Sequence, residues 1–97
     1  YRNKQYMITI IYLIAGKLQS GLVKFDGYDP IAGVLIDRKH GMVATTKRAR
    51  EQALAQSQAL ALHGLRAVWE VITTHGFKRA TRMLESLGIT NISVRKV

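Results

Sequence analysis

GMVATTKRAREQALAQSQALALHG, residues 41–64, decides how the rest of the chain is read. It opens on a glycine, passes two threonines and three cations, and settles into an alanine- and glutamine-rich run that stops at His63-Gly64. Thr45 or Thr46 can cap a helix, because a threonine oxygen accepts from an orphan amide. Ala53, Leu54, Ser57, Leu60 and Ala61 then fall on one helical face. Gly64 is the expected terminator, and His63 as a cation suits a helix C-terminus. Lys47, Arg48 and Arg50 sit where the helix field is already positive, which favours a bound anion there.

Working outward, the neighbours of this helix read as strands. Upstream, Tyr6 to Ala15 is long, apolar and rich in β-branched residues. GKLQSG is expected to turn the chain into a strand over Gly21–Phe25. DGYDP is expected as a second turn, with Asp26 and Asp29 as turn formers, before a third strand over Ile31–Asp37. Downstream, Leu65–Ile72 is a fourth strand and TTHG a turn. A second helix runs over Phe77–Leu87, with Phe77, Ala80, Leu84 and Leu87 inward, and Gly88 stops it. ITNISVRKV ends the chain as a fifth strand, with Ile92 and Val94 on one face. The order β-β-β-α-β-α-β implies a single α/β domain over residues 1–97: a mixed five-stranded sheet of ribonuclease H-like motif with two helices packed on it. Residues 1–5 are expected to be a flexible arm.

Charge is the strongest signal in the composition. Fifteen Lys and Arg against six Asp and Glu give a formal net charge of +9, which argues for an anionic partner. Nucleic acid is the first candidate and an acidic membrane surface the second. The apolar run Tyr6–Ala15 is too short to span a bilayer. With no cysteine, thiolate catalysis and cysteine-ligated zinc are excluded.

The cations gather in two places. Arg38, Lys39 and His40 precede the first helix, and Lys47, Arg48 and Arg50 begin it, with Gly41 for close approach and Thr45 and Thr46 as hydroxyl donors. Amides, hydroxyls and Arg/Lys together are what phosphate oxygens require. Lys78, Arg79 and Arg82 repeat the pattern after a second glycine loop. Both helices follow strands expected to be parallel, so both entrances should meet at one sheet edge. Lys17 and Gln19 of the first turn, and Arg95 and Lys96 at the C-terminus, extend the RNA-binding set. Tyr1 and Tyr28 are candidates for base stacking, whereas Trp69 belongs in the core.

No catalytic residue and no metal site is expected. The histidines His40, His63 and His75 each precede a glycine and lack metal-ligand spacing. A ribonuclease H-like nuclease would need clustered carboxylates. The first long strand carries none, Asp37 reads as a local pair beside Arg38, Glu85 as a surface charge, and Glu51 is accounted for by its basic neighbours. A protein–protein adaptor pairing through its apolar first strand is a third reading.

AREQALAQSQALALHGLRAVWEVI followed by HGFKRATRMLESLGITNISVRKV resembles the universal small-subunit ribosomal protein eleven family, best over residues 44–97. The resemblance rests on a threonine-headed alanine-rich helix with a His-Gly end, a valine-rich strand, and a second helix ending in a leucine–glycine step. THGFKR keeps only Gly76 of the family's glycine-rich loop, with Arg79 or Arg82 in place of its arginine, and Ala44-Thr45-Thr46 lacks the family's proline. The resemblance implies a non-catalytic constituent of the small-subunit platform, without cofactor. It would bind small-subunit ribosomal RNA beside neighbouring platform proteins, near the messenger RNA exit, with no membrane role. The erosion of the motifs suits a mitochondrial ribosome. Large-subunit ribosomal protein eighteen is the rival of similar shape.

Overall fold

The computed structural model describes residues 6–14, 17–41 and 43–97, with side chains described from residue 23 onward. The arm expected at residues 1–5, and Tyr1 with it, lies outside them. β1 (Tyr6–Ile14) and β2 (Lys17–Phe25) pair antiparallel along their whole length, from Tyr6↔Phe25 to Ile14↔Lys17. Lys17–Ser20, expected in a turn, are therefore strand. A nine-residue strand needs partners for its backbone groups, and meeting that need overrides the local turn preference of Ser20 and Gly21.

Asp26 ends this hairpin. Its N–H donates to the Ile36 carbonyl at 2.8 Å, and its Oδ2 accepts from the Arg38 N–H at 2.8 Å. The carboxylate stands in for a ladder carbonyl, and the chain leaves one pairing for another. β3 (Gly27–Asp29) then pairs antiparallel with β4 (Val34–Lys39). The turn sits later than expected: Asp29 Oδ1 accepts from the amides of Ile31 and Ala32, and its carbonyl from Gly33. Gly33 takes φ 69°, and Ile31, expected in a strand, is 97% exposed.

The rest follows chain order. α1 (Lys47–His63) leads to β5 (Arg66–Val71), parallel to β4, and α2 (Thr74–Ser86) leads to β6 (Ile92–Lys96), parallel to β5. The protein is thus a single α/β domain with a mixed sheet and two helices. Its strands number six among the described residues, in a two-stranded sheet β1-β2 and a four-stranded sheet β3-β4-β5-β6. The additional strand exists because Asp26 splits the second arm of the meander.

Strand alternation sorts the residues by face. Leu35, Asp37 and Lys39 align through the register with Ala67, Trp69 and Val71, and these with Ile92, Val94 and Lys96. On this face Leu35, Ala67, Trp69, Val71 and Ile92 share one core with Ala53 and Leu60 of α1 and Ala80, Met83 and Leu84 of α2. Both helices therefore cover the same face, as two successive right-handed crossovers in one direction require. The opposite face carries buried Ile36 and Val68 and a charged row, Arg38↔Glu70↔Arg95.

α1 begins and ends as its sequence dictates. Thr46 Oγ1 accepts from the Ala49 N–H at 3.2 Å, and Gly64, at φ 66°, lets Leu65 donate back to the Leu60 carbonyl. Its buried face is Ala53, Gln56, Ala59 and Leu60, whereas Ala61, expected inward, is exposed. α2 starts three residues before its expected position. Thr73 Oγ1 accepts from Gly76 N–H at 2.8 Å and nucleates the first turn. Gly76 leaves room for that cap, since a Cβ would lie 3.0 Å from the Thr73 oxygen, tighter than an ordinary contact. Phe77, expected inward, is 37% exposed.

Candidate nucleic-acid site

β4 and β5 run parallel and each feeds a helix, so α1 and α2 begin at the same edge of the sheet. A specific contact joins the two starts. The Arg79 guanidinium of α2 reaches the loop before α1, donating from Nε to the Val43 carbonyl at 3.0 Å and from Nη2 to Thr45 Oγ1 at 3.3 Å. The expected convergence of the helix entrances is what the fold builds.

The sequence-named cations do not all share that rim. Lys47, Arg48 and Arg50 occupy the first turns of α1, exposed, and enter none of the ion pairs among the described residues. His40 is exposed beside Gly41, which takes φ 72°. Thr45 and Thr46 accept from Arg79 and Ala49, and each keeps its own O–H to donate. Lys78 and Arg82 are exposed on α2, but the early start of that helix moves Lys78 and Arg79 into its second turn. Lys96 ends β6 in the register row of Lys39 and Val71. Arg38 and Arg95 stand apart: on the other face they flank buried Glu70, Arg38 Nε at 3.5 Å and Arg95 Nη2 at 2.6 Å. Backbone pairing puts Lys17 opposite Ile14 and Gln19 opposite Tyr12, and their side chains lie outside the described ones.

Beside the rim, on the helix-covered face, lies a cluster that the reading of single motifs passed over. Asp37 does not pair with Arg38, which points to the opposite face. Instead its Oδ2 accepts from Lys39 Nζ at 2.9 Å and from Gln56 Nε2 at 2.8 Å. Gln56 is buried, and its Oε1 accepts from Trp69 Nε1 at 2.7 Å. Lys39 Nζ lies 4.3 Å from the centroid of the Trp69 ring. The β3–β4 ladder stops at Gly27↔Ile36, and at Asp26 the register breaks, its N–H going to the Ile36 carbonyl rather than to that of Asp37. Each of the two carboxylates commits Oδ2 to the protein, Asp26 to the Arg38 N–H and Asp37 to Lys39 and Gln56, and among the described residues neither Oδ1 takes a hydrogen bond.

The signal that could have found this cluster is the triplet Asp37-Arg38-Lys39: strand alternation places an acid and an ammonium on one face at a strand's end. Ligands of open α/β sheets collect beyond the carboxyl ends of the strands, which is this edge. Among the described residues no three metal-ligating side chains gather. No protein family, no curated protein and no solved structure matches the chain.

Proposed function

We propose that this domain is a non-catalytic constituent of the small ribosomal subunit platform, bound to small-subunit ribosomal RNA and neighbouring platform proteins, near messenger RNA, on a mitochondrial ribosome. The observation that carries the reading is the meeting of two basic helix starts at one sheet edge, where Arg79 ties α2 to the Val43 carbonyl and Thr45 Oγ1 before α1; the resemblance over residues 44–97 supports it. Lys47, Arg48 and Arg50, with Lys78 and Arg82, hold the polyanion without reading its sequence.

Incubating the chain with single-stranded RNA and with small ribosomal subunits tests this. Tight, salt-sensitive RNA binding without cleavage and co-sedimentation with small subunits are expected. A chain that binds neither RNA nor the subunit, or that cuts RNA in the presence of Mg²⁺, refutes it.

A further inference from the structure

Both helices pack on the Trp69 face of the four-stranded sheet, and strand alternation sends Arg38, Glu70 and Arg95 to the other. There three adjacent strands set one acid between two arginines. Arg38 Nε lies 3.5 Å from Glu70 Oε1, and Arg95 Nη2 lies 2.6 Å from Glu70 Oε2. Arg66 of β5 shares this face with Glu70 and is exposed. The positions of β4, β5 and β6 on this side therefore carry three arginines against one carboxylate. The acid is buried at 8% exposure, while the side chains of Arg38 and Arg95 are 29% and 44% exposed. One arginine would suffice to neutralise Glu70. With two, the carboxylate holds both guanidinium groups in place, their backbones two strand spacings, about 10 Å, apart. Each guanidinium is a planar fork of five N–H donors, more than one carboxylate oxygen can take, and that fork matches phosphate oxygens. This row is separate from the helix-start rim, because Arg38 and Lys39 are successive residues of β4 and point to opposite sides of the sheet.

We infer that the Arg38–Glu70–Arg95 row is a second phosphate-binding surface, with Glu70 as its positioning residue, so that one domain bridges two segments of nucleic acid. The helix-start rim takes one segment and the helix-free face takes the other. The inference rests on the reading of the rim as a nucleic-acid contact, and it does not need that nucleic acid to be ribosomal.

The test mixes the full chain with two RNA oligonucleotides, one carrying a donor fluorophore and the other an acceptor. Bridging gives energy transfer that rises as chain is added and falls again in excess, when each oligonucleotide has a chain of its own. The triple variant Arg38→Gln/Glu70→Gln/Arg95→Gln removes the row without stranding a buried charge, with circular dichroism confirming the fold. It should abolish the transfer, while fluorescence anisotropy still shows one oligonucleotide bound at the rim. Glu70→Gln alone separates positioning from net charge. It deletes an anion from a basic face, so charge counting makes bridging tighter, whereas loss of the anchor makes it weaker, which is the expected result. Undiminished transfer in the triple variant, or bridging by Glu70→Gln as tight as that of the wild type or tighter, would overturn the inference. So would a wild-type chain that binds RNA without transfer, a result that leaves the proposed function standing. Transfer without co-sedimentation with small subunits removes the ribosomal reading alone, and a chain that binds no RNA removes both.

Discussion

Replacing Lys47, Arg48 and Arg50 with alanine should move two measurements in opposite directions. These side chains are exposed at the start of α1 and enter no ion pair among the described residues, and each adds a positive charge to the positive end of the helix dipole. Their removal relieves that repulsion and leaves the Thr46 cap untouched, so the melting temperature should stay level or rise slightly. Binding should weaken instead. Each neutralised phosphate contributes about 0.7 to the salt slope on single strands and about 0.9 on duplex. Losing three contacts therefore lowers the slope of log K against log salt by about 2 to 3. Fluorescence anisotropy with a labelled oligonucleotide between about 50 and 200 mM salt measures it, a range in which each contact is worth about threefold. A slope equal to that of the wild type, in a variant that melts normally, would show that these cations touch no phosphate.

Arg79→Ala should weaken nucleic-acid binding more than Arg82→Ala in the same anisotropy assay, because only Arg79 ties the loop at Val43 and Thr45 to α2; equal losses would deny it a special role. Gly64→Ala forces a Cβ into φ 66° and should cost about 1 kcal/mol, read as a drop of roughly 4–8 °C in melting temperature. Asn91→Ala removes a reciprocal clamp, since Asn91 Nδ2 donates to the Ser57 carbonyl and Ser57 Oγ to Asn91 Oδ1, each at 2.8 Å. Urea denaturation should register a loss of about 1–3 kcal/mol, while a change below a few tenths would mean that water replaces the clamp.

The elements that local chemistry dictates were legible. Thr46 and Gly64 bound α1 because a hydroxyl cap and a left-handed glycine act within a few residues of themselves. The convergence of the helix starts was legible as well, since two parallel strands each followed by a helix leave little alternative. Misreadings arose where a distant partner decided the outcome. Lys17–Ser20 look like turn residues until β1 demands a mate. Thr74–Gly76 look like a turn until Thr73 caps them into α2. Ile31 looks like strand until the Asp29 carboxylate folds the chain around it. The cluster beside the rim was hidden for a related reason: Asp37, Gln56 and Trp69 are unremarkable one at a time, and only the sheet register and the rotation of α1 bring them together.

Asp26 occupies the point where the chain switches from one sheet to the other, its carboxylate taking the Arg38 amide of the strand that comes next. One side chain thus joins the hairpin to the larger sheet. Asparagine would keep an acceptor oxygen there, whereas alanine would leave the Arg38 amide without its partner and loosen the joint.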